Sequence, residues 1–132
     1  MEVASEEFDT QNSLLRVTLA GAFSLPEAQA RFAETLDGLL KHQPSKVLVD
    51  GRAITGRPEL IQRYLYGEFA ANALRTALEG ELAQAPKFVY VLVEPVLDPG
   101  RIGQTVALIN GMNVMTFGSV SDAEHWLDAE ES

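Results

Sequence analysis

The chain has 132 residues, a length that suits one compact domain. It is 46% hydrophobic and contains no cysteine, which excludes a disordered acidic polymer, disulfides, thiolate catalysis and cysteine-ligated zinc. The formal charge of -9 sits at the ends: residues 1–15 carry -4, residues 102–132 carry -5, and residues 16–101 balance at zero. That acidic periphery repels phosphate backbones, so no nucleic-acid partner is expected, and it favours solubility.

The N-terminal residues Met1-Glu-Val-Ala-Ser-Glu-Glu7 place acids where a secretory signal needs bases, and no apolar run approaches the ~20 residues of a membrane span. A soluble cytoplasmic protein, not integral to the membrane, is expected. Without internal repeats, low-complexity tracts or linkers, residues 1–132 read as a single domain.

Val3–Phe8 and Leu14–Leu19 read as a hairpin joined by the turn-prone Asp9-Thr-Gln-Asn12. Ser24-Leu-Pro-Glu27 is a capping pattern for a helix to about Lys41, with Ala28, Phe32, Leu36 and Leu39 on one face. Lys46-Val-Leu-Val-Asp50 reads as a short strand buried on both faces. After a Gly-containing loop, Pro58 opens a helix to Gly80 whose apolar stripe comprises Leu60, Ile61, Tyr64, Leu65, Ala71, Leu74 and Leu78. Phe88–Val93, β-branched and aromatic, is expected to be central in the sheet. Asp98-Pro99 caps a helix ending at Asn110-Gly111, Val114–Phe117 is a strand, and Ser121-Asp-Ala-Glu124 starts a last helix carrying Ala123, Trp126 and Leu127.

The order β-β-α-β-α-β-α-β-α predicts an α/β fold with a mixed, mostly parallel sheet flanked by helices. In its Gly21-Ala-Phe-Ser-Leu25, Lys46-Val-Leu-Val-Asp-Gly-Arg-Ala-Ile-Thr-Gly56, Ile109-Asn-Gly-Met-Asn-Val-Met-Thr-Phe117 and Ala123-Glu-His-Trp-Leu127 segments, the chain resembles the STAS domains (sulfate transporter and anti-sigma-factor antagonist), specifically the SpoIIAA-like branch. The resemblance implies a non-enzymatic domain that binds a protein partner or a small anionic or amphipathic ligand in a regulatory or carrier role. Anti-sigma antagonists of that superfamily carry a phosphorylatable serine in a stretch that reads approximately Asp-Ser-Ser-Gly. Here the stretch is Ile54-Thr-Gly-Arg-Pro-Glu59, so a phospho-switch would have to use Thr55; the alternative is that Thr55 merely helps the turn. Lipid carriers of the CRAL-TRIO type belong to the same fold neighbourhood, and a hydrophobic ligand beneath the Pro58–Glu79 helix is the variant they imply.

Gly51-Arg-Ala-Ile-Thr-Gly56 has the position of a P-loop but continues with Arg57 and Pro58 where lysine and a hydroxyl are required, so nucleotide hydrolysis has no machinery. Backbone N–H groups of Thr55 and Gly56 at a helix start, with Arg52 and Arg57, would still favour an anion, and Arg101 and Tyr64 would border the same crevice at the carboxyl ends of the strands. The competing arrangement pairs Arg52 and Arg57 with Asp50 or Glu59 at the surface. His42 and His125 lack ligand-like spacing, so neither a metal site nor a triad is expected, and no cofactor is implied. Tyr66 and Phe69 are the candidates for an exposed patch that binds a partner or a second copy of the chain.

Overall fold

The computed structural model describes residues 1–129, so Glu130 and Glu131 of the acidic C-terminal stretch lie outside the described residues. Nine elements follow one another: β1 Glu2–Asp9, β2 Leu14–Ala22, α1 Leu25–His42, β3 Lys46–Thr55, α2 Leu60–Glu79, β4 Lys87–Val91, α3 Ile102–Ile109, β5 Val114–Phe117 and α4 Val120–Asp128. The sheet order is β1-β2-β3-β4-β5, with β1 antiparallel to β2 and the other pairs parallel. The predicted α/β architecture and the predicted element order are both observed. Each crossover from β2 to β5 steps to the adjacent strand in the same direction, and crossovers of one hand then put their helices on one face. Accordingly α1, α2 and α3 cover one face, and α4 alone covers the other.

Strand alternation separates two apolar layers. Register aligns Leu15, Val47, Phe88 and Val114 in one row beneath α1–α3, and Val17, Val49, Tyr90 and Thr116 in the next. Leu48, Val89 and Val91 face the opposite way and pack on Ala123 and Leu127 of α4. Ser24 caps α1 by accepting the Glu27 N–H at 3.2 Å, as its sequence pattern requires. Among the described residues, no helix is long and apolar enough to cross a membrane.

Several expectations are corrected. The strand beginning at Lys46 continues to Thr55, because Ala53, Ile54 and Thr55 pair with Ala20, Gly21 and Ala22 beyond an irregularity in register. β3 is the middle strand and β4 its neighbour, so the most β-prone segment is not the central one. The cap of α4 is Ser119, which accepts the Asp122 N–H at 3.2 Å, rather than Ser121. α3 starts at Ile102, yet Asp98 still serves its first turn, accepting the Ile102 N–H at 2.9 Å.

The largest correction concerns α2. Its buried residues are Gly67, Ala70, Ala71 and Leu74, whereas Leu60, Ile61, Tyr64 and Leu65 are exposed. Ala71 and Leu74 of the expected stripe are buried and Leu78 packs on the core, so the stripe fails only over the first half of the helix, where the small Gly67 and Ala70 face the neighbours instead.

Candidate functional site

Tyr66 and Phe69 turn inward. Phe32 of α1 meets both rings edge-on, at centroid distances of 6.3 and 6.2 Å, so these residues belong to the packed interior. The exposed apolar face of α2 is built from Leu60, Ile61, Tyr64 and Leu65 instead.

Arg52 does not border a crevice. Asp50 lies in the row with Thr18, Val91 and Phe117, on the α4 side of the sheet. Arg52 grips its carboxylate with two bonds, Nε to Oδ1 at 2.9 Å and Nη2 to Oδ2 at 2.8 Å. These bonds hold the Asp50 carboxyl below its ordinary range and raise the guanidinium further. Thr55 and Gly56 end the β3 segment, where the Thr55 carbonyl accepts the Phe23 N–H at 2.8 Å. Arg57 is exposed and its side chain has no partner among the described residues. The start of α2 carries Glu59, whose N–H donates to Gln62 Oε1 at 2.9 Å, so an acid stands where the anion was expected.

The geometry instead brings together a cavity of about 140 Å³ beneath α2, between α2, α3 and the sheet. Its walls are mostly apolar, with Leu19, Val49, Ile54, Ala70, Met112 and Val114 among them. Of the sequence-predicted ligand residues, only Arg101 lines it; Arg52, Thr55, Gly56, Arg57 and Tyr64 do not. Tyr90, Arg63 and Gln104 supply polar groups that the sequence did not single out, and Tyr66 and Asp98, expected as a partner contact and a helix cap, supply two more.

Tyr66 from α2 and Tyr90 from β4 face each other with their hydroxyls 2.7 Å apart. One phenol donates to the other, and the second phenol's hydrogen has no protein acceptor among the described residues. Burial pushes the Tyr66 phenol up to about 12, partly offset by the bond to Tyr90, and pushes Tyr90 well above its ordinary value. Both are therefore neutral hydrogen-bonding groups.

Arg63 fastens the β4–α3 connection to the start of α2, donating to the carbonyls of Val96 at 2.7 Å, Pro95 at 2.7 Å and Pro58 at 3.2 Å. Asp98 accepts from Ile102 N at 2.9 Å and Gly100 N at 3.0 Å; the Ile102 bond does most to keep its carboxyl ionised below the usual range. Gln104 and Arg101 reach the edge strand β5, where the Thr116 N–H donates to Gln104 Oε1 at 2.8 Å and the Thr116 carbonyl accepts from Arg101 Nη1. Both backbone groups of Thr116 point away from β4, so these two side chains also cover an open sheet edge.

Among the described residues, no group of three or more metal-ligating side chains comes together. His42 is occupied in stacking on Phe8, with ring centroids 4.5 Å apart. Comparison of the chain with protein-family models and with curated proteins finds no match.

Proposed function

We propose that this chain is a non-enzymatic ligand-binding domain of the STAS neighbourhood, a carrier or sensor that takes a small, mainly apolar molecule into the chamber beneath α2. The observation that carries this reading is the buried Tyr66–Tyr90 hydroxyl pair facing a cavity of about 140 Å³. A dry cavity of about this size lined by aliphatic and aromatic side chains accommodates a molecule such as benzene. The spare phenol hydrogen adds one point of polar recognition to an otherwise apolar wall. This size favours a compact ligand over the long-chain lipid that the carrier variant implied.

Native mass spectrometry of protein purified gently from its own host tests the proposal. The expected result is a discrete added mass in the wild type that is missing in Ala70→Leu, a variant that fills the chamber from its α2 wall. A clean apo mass in both counts against it.

A second reading, contact with a protein, is favoured by the exposed face of α2, where Leu60 and Ile61 are 68% and 56% exposed. In its simplest form this face joins two copies of the chain. Sedimentation of wild type and Ile61→Asp decides it: a dimer that the substitution dissociates supports self-association, and a wild-type monomer removes it. The Thr55 phospho-switch is a third reading, and the exposure of Thr55 at the end of β3 is all that favours it.

A further inference from the structure

Arg101 is held in the left-handed region, with φ 52°, at the entrance to α3. That conformation is uncommon for a residue with a long side chain, so its persistence at a cavity wall calls for a reason. Covering the β5 edge uses only Nη1, on the Thr116 carbonyl. The remaining guanidinium donors have no protein partner among the described residues.

Among the described residues, Arg101 also has no carboxylate within ion-pair distance. The chain has 19 acids against 10 bases, and Arg16, Arg31 and Arg52 each find a carboxylate within ion-pair distance. Neither chamber arginine does so among the described residues. Arg63 donates to three carbonyls, and Asp98, the one acid among the described chamber residues, accepts from the Gly100 and Ile102 N–H groups and its charge acts on Arg63. Arg101 therefore lines the same apolar chamber as the Tyr66–Tyr90 pair, and it does so with donors that no protein group among the described residues accepts from.

We infer that the ligand's polar end is a carboxylate: a small monocarboxylic acid, its apolar body in the chamber and its carboxylate shared between Arg101 and the Tyr66–Tyr90 pair. A planar carboxylate matches the fork of a guanidinium, and its other lone pairs accept from a neutral phenol without needing a second cation. A phosphate dianion would bring more charge than one free arginine answers. This inference rests on the reading of the chamber as the ligand site.

Titration of the protein with benzoate, benzamide and toluene, followed by calorimetry and by NMR of the chamber methyls, separates the two ideas. The expected result is that benzoate binds about tenfold or more tightly than benzamide, the gain of a charge-assisted bond, and that toluene binds weakly. Arg101→Gly suits the left-handed backbone, so the fold is retained; this variant should lose the preference for benzoate while still admitting toluene, and Arg101→Lys should restore part of it. Equal binding of benzoate and benzamide, or a preference untouched in Arg101→Gly, overturns the carboxylate assignment and leaves the chamber standing. Failure of all three probes to shift the chamber methyls overturns both.

Discussion

A Cβ built on Gly67 would lie 2.4 Å from the carbonyl oxygen of Gly103, so α2 and α3 touch backbone to backbone at this point. That contact fixes how Arg63 and Tyr66, on α2, are presented toward Arg101 and Gln104 at the start of α3. It closes one side of the chamber without filling it.

Gly67→Ala should therefore destabilise the protein although alanine is the better helix former. Forcing backbone apart costs about 1–3 kcal/mol, and the propensity gain of ~1 kcal/mol offsets only part of it. Gly103→Ala meets the Arg63 carbonyl at 3.1 Å, a milder approach, and should cost less. Urea midpoints of the two variants check the order.

The tyrosine pair should behave as a unit. Removing either hydroxyl leaves the other buried phenol without its protein partner, at about 1–3 kcal/mol for Tyr66→Phe or Tyr90→Phe. The double variant should cost less than the two singles together, and a double-mutant cycle measures that coupling.

High pH should weaken the fold through the same pair. An unfolded tyrosine ionises near 10, whereas burial lets Tyr66 hold its proton to about 12 and keeps Tyr90 protonated well above its ordinary value. Above pH 10 the folded chain thus binds more protons than the unfolded chain, and stability falls as pH rises through the folded values. The urea midpoint should drop between about pH 10 and about pH 12, and drop less in Tyr66→Phe/Tyr90→Phe.

Asp98 acts in the opposite direction. Its folded pKa lies below the ordinary 3.8, so the stability it contributes is present above that value and lost as pH falls through the lower folded one. Asp98→Ala should cost about 0.5–2 kcal/mol at neutral pH, as the loss of a helix cap does. The difference from wild type should shrink on acidification from about pH 5 to about pH 2, as followed by urea melts.

Arg52→Ala tests the reassignment of the site. Arg52 and Asp50 form a surface pair on the α4 side of the sheet, so the substitution should leave both the melting temperature and toluene binding at wild-type values. A selective loss of binding would return the site to the β3 end.

The order of elements was legible because each strand and helix carries its own punctuation: Ser24 with Glu27, Asp98 ahead of α3, Asn110-Gly111 after it. The hairpin and the two-faced burial of Val47 to Val49 followed from alternation and from continuity of apolar residues. The site was only partly legible. Arg101 stood out as a base at a strand end, but Arg52 and Arg57 carried the same signal, and only register turns Asp50, with the Arg52 that grips it, away from the chamber. Tyr66 and Tyr90 are distant in sequence and meet through the parallel pairing of β3 with β4, which no local pattern encodes. The face of α2 was misjudged over its first half because Gly67 and Ala70 bury themselves by being small, whereas Ala71, Leu74 and Leu78 lie on the side expected. The signal that could have revealed it is that same spacing of small residues, which permits close helix contact.

The most direct test is a methyl-labelled NMR titration with toluene. The account predicts shifts in the methyls of Leu19, Val49, Ile54, Met112 and Val114, no movement of Leu48, Val89 or Leu127 across the sheet, and loss of the response in Ala70→Leu. Still methyls throughout, or shifts confined to Leu60, Ile61 and Leu65 on the outer face of α2, would contradict a ligand chamber beneath that helix.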